Sequence, residues 1–228
     1  MVVNVLLEWN YICVMNERKK IPTAVYAEMT PNPSSMKFVA DRLLLTGGLQ
    51  VEYKSKAEAS GSSPLAEELF NFPFVTNVFV AHNFVTVTKD GTIDWDMIVM
   101  QLREYIREWL MDNEIAVSTV PAELMSRSAS MIEEAKAGGS APSSVDRSKF
   151  KPSEYDDAIM ALLEEFVRPA VEADGGAIDF VGYDEKKVFV EMKGSCSGCP
   201  SSSATLKGGI ENLLKAKLPS VVEEVISV

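Results

Sequence analysis

Between residues 126 and 152 the chain reads SRSASMIEEAKAGGSAPSSVDRSKFKP, a run of Ser, Ala, Gly, Pro and charge with little apolar periodicity. Such a stretch has no face to bury and behaves as a flexible linker. The 228 residues must therefore close two separate cores rather than one. We divide the chain into residues 22–112, a joining segment at 113–152, and residues 153–228. Hydrophobic residues make up 46% and charged residues 24%, which suffices for such cores. The expected class is α/β in the broad sense (α+β): two small domains, each a short sheet packed with helices.

In the N-terminal half, apolar runs predict strands near Ala24–Met29 and Met36–Ala40, separated by the Pro-punctuated turn Thr30–Pro33. Ser63 followed by Pro64 predicts a helix start over SPLAEELF. Val75–Val80 and Phe84–Thr88 alternate as a hairpin turning at Ala81–Asn83. Asp94 is the expected cap of a long helix to about Leu110. Its apolar residues Met97, Ile98, Leu102, Tyr105, Ile106 and Trp109 recur at helical spacing.

In the C-terminal half, Ser153 is the expected cap of a helix with the apolar stripe Ile159, Leu162, Leu163 and Phe166. Pro169 should bend or end that helix, and Gly175-Gly176 closes it. Strands are predicted near Ala177–Tyr183 and Lys187–Lys193, then a helix at Pro200–Lys217 with Leu206, Ile210, Leu213 and Leu214 inward. Val221–Val228 reads as a last strand.

The formal net charge is −11, and both halves are acidic: 14 acidic against 7 basic residues after residue 152, and 19 against 15 before. That argues against nucleic acid as a partner. No apolar stretch approaches the ~20 residues that cross a bilayer, so a membrane is not expected either. Three cysteines, Cys13, Cys196 and Cys199, are too few for a disulfide-stapled secreted scaffold. The first twenty residues are neither a good secretory signal nor rich in Arg and Ser. The expected location is the cytoplasm. Residues 1–14 suit a short strand or an over-long start before Met15.

The segment GSCSGCPSSSATLKGGI at Gly194–Ile210 carries the chemistry. Two residues separate Cys196 from Cys199, so both sulfurs can reach one metal centre or each other. Pro200 suits the first position of a helix, which puts Cys199 at the positive end of the helix dipole. That end favours thiolate over thiol. Gly194 and Gly198 permit tight turns and close approach of a ligand. An accessible, thiolate-forming loop is expected.

Spacing alone leaves four readings of this pair. The cysteines can be chemically idle. They can form a redox pair, which needs a βαβ context and a facing cis-Pro that the sequence does not supply. They can bind structural zinc, which wants four ligands per domain; this domain offers two, and the chain's one histidine, His82, lies in the other. They can hold an iron–sulfur cluster, which usually takes four thiolates. Two chains about a two-fold axis supply four, so a [4Fe–4S] cluster of iron and inorganic sulfide bridging a homodimer satisfies the count. Cys13 is given no ligand role.

The C-terminal half resembles the NifU C-terminal domain of Nfu-type proteins. The residues that carry this are VRPAVEADGGAIDF (Val167–Phe180) and the cysteine segment itself. Arg168, Pro169, Asp174, Gly175 and Gly176 fit the first part of the pattern; Gly194, Cys196, Cys199, Pro200, Ser201, Ser202, Thr205, Leu206, Lys207, Gly209 and Ile210 fit the second. The N-terminal half resembles the Nfu N-terminal domain through TPNPSSMKF (Thr30–Phe38), SPLAEELF and FVTVTKDGTIDWD (Phe84–Asp96). The resemblance implies a non-enzymatic scaffold or carrier. Its Cys196 and Cys199 are metal ligands, its partners are upstream assembly proteins and apo iron–sulfur clients, and its N-terminal domain helps recognise those clients.

Around the site, Asp174 with Gly175-Gly176 orients the cysteine loop, binds a partner or ends a helix, and Lys193 and Lys207 either offset cluster charge or are solvated. His82 is expected as a turn residue, and Trp95, Trp109 and Phe84 as core or docking surface. The Thr30–Pro33 turn could contact clients, although turn geometry suffices to explain its Pro and Asn.

Overall fold

The architecture is that of a computed structural model, which describes residues 20–47, 49–121, 150–197 and 200–228, with backbone alone at 200–203. Most of the expected linker lies outside the described residues, as do Cys13 and Cys199.

The N-terminal half forms a five-stranded antiparallel sheet in the order β1-β2-β5-β4-β3. Its strands are β1 (Val25–Met29), β2 (Ser35–Ala40), β3 (Gln50–Tyr53), β4 (Val75–Ala81) and β5 (Phe84–Lys89). The expected hairpin is β4–β5: Ala81 pairs with Phe84, and His82 turns the chain at φ 37°. His82 contributes its carbonyl there, accepting from the amides of Leu44 and Leu45.

Side-chain alternation splits this sheet into two faces. Met36, Phe38, Val51, Tyr53, Val78, Val80, Val85 and Val87 belong to the core built with the helices. Those helices are α1 (Lys56–Ala59), α2 (Pro64–Leu69) and α3 (Trp95–Asp112). Ser63 caps α2 as expected, its hydroxyl accepting from the Ala66 amide at 3.1 Å while donating to the Ala116 carbonyl at 2.8 Å. Asp94 occupies the cap of α3 in extended conformation without a side-chain hydrogen bond, so it contributes charge at the helix start rather than a cap. The buried stripe of α3 is Ile98, Leu102, Ile106 and Leu110. Met97, expected inside, is 67% exposed because it falls outside that four-residue spacing.

The opposite face carries Lys37, Val39, Gln50, Glu52, Phe79, Ala81, Phe84 and Thr86. All of these are buried too. An antiparallel sheet commonly leaves one face wet; here the C-terminal half covers it.

In that half Ser153, the expected cap, lies two residues before the N-cap, which is Tyr155 and has no side-chain cap hydrogen bond. The Ser153 amide donates to the Asp156 carboxylate, and the Ser153 hydroxyl accepts from the Tyr155 amide, both at 3.2 Å. Helix α4 (Asp156–Leu162) runs through a π-helical turn at Leu163–Val167 into α5 (Arg168–Ala173). The Arg168 amide reaches back five residues to the Leu163 carbonyl. The wide turn accommodates Pro169, which lacks a donor and would clash in a regular helix. The helix therefore continues past Pro169 instead of ending there. The turn also resets the stripe to Ile159, Leu163, Val167 and Val171, leaving the expected Phe166 43% exposed.

Strands β6 (Gly176–Asp184) and β7 (Lys187–Gly194) pair antiparallel, and β8 (Glu224–Ser227) joins β7 in parallel after α6 (Pro200–Lys217). The smaller sheet has the order β6-β7-β8. Val188, Val190 and Met192 share its core face with Ile210 and Leu214 of α6.

Deleting a fully buried side chain costs its transfer energy plus a cavity term. Ile106→Ala should destabilise the N-terminal unit by about 2–5 kcal/mol, whereas Met97→Ala should stay within about 0.5 kcal/mol. Urea denaturation of the two variants checks both.

Candidate functional site

Strand β7 ends at Gly194, in the left-handed region at φ 64°. A side chain there would meet the Gly175 carbonyl at 2.7 Å and the Phe79 ring at 2.9 Å. The turn delivers Ser195, Cys196 and Ser197 to the edge of the small sheet just before α6. Backbone and hydroxyl bonds tie this loop to the end of α5. The Ser195 amide donates to the Gly175 carbonyl at 3.2 Å, and its hydroxyl donates to the Asp174 carbonyl at 2.6 Å. Asp174 thus does both things considered for it: it ends α5, and its carbonyl orients the loop.

Cys196 is 7% exposed and packs with the C-terminal core. Its sulfur lies 3.8 Å from the Ser195 hydroxyl. A Cβ on Gly176 would sit 2.6 Å from that sulfur, so only glycine lets β6 approach so closely. Burial pushes the Cys196 thiol up from its ordinary value; the Ser195 hydrogen bond opposes this, and the Asp174 charge adds to it. The expected accessible thiolate is corrected at this sulfur. Desolvation is the largest influence on Cys196, and it disfavours the anion.

The N-terminal domain closes over the loop through its second sheet face. The Asn32 side-chain amide donates to the Ser195 carbonyl at 3.0 Å and to the Ser197 carbonyl at 3.3 Å, spanning Cys196. The buried Glu52 carboxylate accepts from the Gly194 amide at 2.8 Å. Burial raises the Glu52 pKa, against the Gly194 hydrogen bond, Asn77, Lys54 and Lys193, which lower it. Thr86 donates its hydroxyl to the Gly175 carbonyl at 2.7 Å. Lys37 donates to the carbonyls of Glu172 and Ala173 at 3.2 and 3.0 Å, a cation at the negative end of α5. The Gln50 amide donates to the Glu172 carboxylate at 2.8 Å. Val39, Phe79, Ala81 and Phe84 form a small apolar cluster with Ala177. The seam is incompletely filled: a cleft of about 520 Å³ remains, lined by Lys37, Gln50, His82, Phe84, Pro169 and Glu172 among others.

Lys193 is 4% exposed and lies 3.2 Å from Asp179 and 3.3 Å from Glu191. Burial alone would lower its pKa; the two carboxylates outweigh that and hold it above the usual lysine value. Lys207 lies 3.6 Å from Glu224 at the surface. Both lysines are thus paired with carboxylates.

The cysteine loop is the part of this site that the sequence announces. Asn32, Lys37, Gln50, Glu52 and Thr86 are the part it conceals. Polar residues on alternate positions of an antiparallel sheet look like an ordinary solvated face. The available signal was the glycine pattern at 175–176 and 194, since bare backbone marks a place where another element comes close.

Fold and site together define a two-domain α+β protein organised around one cysteine loop. The family model for the scaffold protein Nfu/NifU N terminal matches residues 25–113, and that for the NifU-like domain matches residues 159–226. The chain is 34% identical over 209 residues to "NifU-like protein 4, mitochondrial" of Arabidopsis thaliana, covering 91% of this chain and 65% of that protein. It is 32% identical over 218 residues to the "NFU1 iron-sulfur cluster scaffold homolog, mitochondrial" of Drosophila virilis, covering 95% and 66%. It is 32% identical over 209 residues to the homolog so named in Homo sapiens, covering 89% and 72%. This chain belongs to the Nfu/NifU-like family. It spans about two thirds of the length of these relatives.

These relatives are labelled mitochondrial, which overturns the expected cytoplasmic location. The error has a physical root. A low cysteine count separates reducing from oxidising compartments, but it does not tell one reducing compartment from another.

Gly176→Ala forces a methyl group against Cys196 and the Lys193 carbonyl, each under 3 Å away. It should destabilise the C-terminal unit by about 1–3 kcal/mol and displace the cysteine loop. Thermal melting together with the alkylation rate of Cys196 measures both effects.

Proposed function

We propose that this chain is a scaffold and carrier for iron–sulfur clusters, and not an enzyme. Its cargo is a [4Fe–4S] cluster bound by Cys196 and Cys199 and completed by the same pair from a second copy. Residues 153–228 hold the cargo, residues 22–112 recognise clients, and 113–152 join them. The observation that carries this reading is the Cys-x-x-Cys-Pro segment beginning at the turn after β7, in a family whose relatives are named iron–sulfur cluster scaffolds.

Ligand count supports the shared site. Cluster iron usually takes four thiolates, and among the described residues no group of three or more His, Cys, Asp or Glu side chains is arranged to hold a metal ion. Two loops about a two-fold axis supply the four. Binding requires each thiol to lose its proton to solvent. Delivery to an apo-protein is then ligand exchange at iron: client thiolates replace those of the carrier, and no electron is transferred. A cargo held by few protein atoms at a subunit seam suits handover.

Anaerobic reconstitution with iron and sulfide should yield about four irons and four sulfides per dimer. Cys196→Ser or Cys199→Ser should abolish uptake, and the loaded protein should restore activity to an apo [4Fe–4S] enzyme. A metal-free monomer after reconstitution would overturn the proposal. Disulfide-reductase turnover by the unloaded protein would favour a redox pair instead.

A further inference from the structure

We propose that the N-terminal domain is an intramolecular cap on the cysteine loop, seated on residues 172–177 and 194–197, and that it must lift before Cys196 can reach iron or a second chain. Its consequence for loading rests on the carrier reading; the closure itself rests on described contacts alone.

The cap recognises backbone. Asn32, Lys37 and Thr86 donate to five carbonyls of the C-terminal domain, and Glu52 accepts from one amide. The carbonyls belong to the end of α5 and to the loop itself, which are the two segments that set where Cys196 sits. The contacts to Ser195 and Ser197 lie on either side of that residue. While they hold, the loop is pressed onto the core that buries the sulfur. A second copy cannot bring its own sulfurs to a common cluster in that state.

The seam is also built to separate. About half of its N-terminal face is polar, Lys37, Gln50, Glu52 and Thr86 with Asn32 beside them, and water can satisfy these groups when the domains part. The apolar part is the cluster of Val39, Phe79, Ala81, Phe84 and Ala177. The unfilled cleft beside it withholds further contact. Interfaces of this polar kind within one chain are the ones that open and close. A permanent junction would instead fill the same positions with interlocking apolar side chains.

The test uses the full-length, reduced, metal-free protein and iodoacetamide, with tandem mass spectrometry resolving Cys196. Gln50→Glu sets two carboxylates against each other at Glu172 and should speed Cys196 alkylation about tenfold or more by favouring the open form. Glu172→Gln added to it restores an amide–carboxylate pair and should return the rate to within about twofold of the parent, as a coupled pair requires. Circular dichroism confirms that the variants are folded. An unchanged rate in Gln50→Glu overturns the cap. So does acceleration that the second substitution fails to reverse, because that is local unfolding. Iron counting on the same proteins separates the two readings. Faster, reversible alkylation with no iron uptake keeps the cap and removes the carrier; iron uptake with unaltered alkylation does the opposite.

Discussion

The Gly194 amide donates to a buried Glu52 carboxylate, and much else in the molecule follows from that contact. A carboxylate loses hydration when buried and needs strong donors in return. It finds one in a backbone N–H of the very turn that presents the cysteine. Glu52 stands on β3, so the larger sheet is registered against the smaller one at the residue where β7 becomes the cysteine loop. Neighbouring strands extend the match, with Thr86 on β5 and Lys37 on β2 reaching the end of α5. The larger sheet is consequently buried on both faces, one by its own helices and one by the other domain.

The two faces are chemically unlike. Val78, Val80, Val85 and Val87 fill the helix-packed side, a dry core whose burial contributes about 1.5–3 kcal/mol per large side chain. The other mixes Lys37, Gln50, Glu52 and Thr86 with the apolar Val39, Phe79, Ala81 and Phe84. Burying such polar groups costs energy unless each is hydrogen-bonded, and each of them is. Because the same groups are equally content in water, the net gain on closing is small. The first face holds the domain together; the second is suited to a reversible contact.

Strand β1, the β4–β5 hairpin, α3 and α6 were legible because apolar spacing and Gly or Pro punctuation act locally. Two features were not. The stripe through Phe166 failed because the turn at Leu163–Val167 changes the helical period, and Pro169 announces only a disturbance, not its kind. Strand β3 was missed because Gln50–Tyr53 is four residues long, too short for alternation to stand out. At the site, Cys196 could be named from its spacing with Cys199. Its burial could not, because packing between sequence-distant segments such as Gly176 on β6 sets it.

The buried thiol and the covering domain address one chemical difficulty. Under the proposed carrier role, the sulfurs are ligands when the loop is loaded and must stay unreactive when it is empty. Thiolates, not thiols, are the nucleophiles and ligands, and burial of Cys196 favours its thiol form. The buried Lys193, Asp179 and Glu191 network beneath the loop leaves the turn a fixed base. Under the proposed cap, separation at the domain seam would change the exposure of Cys196 without unfolding either core.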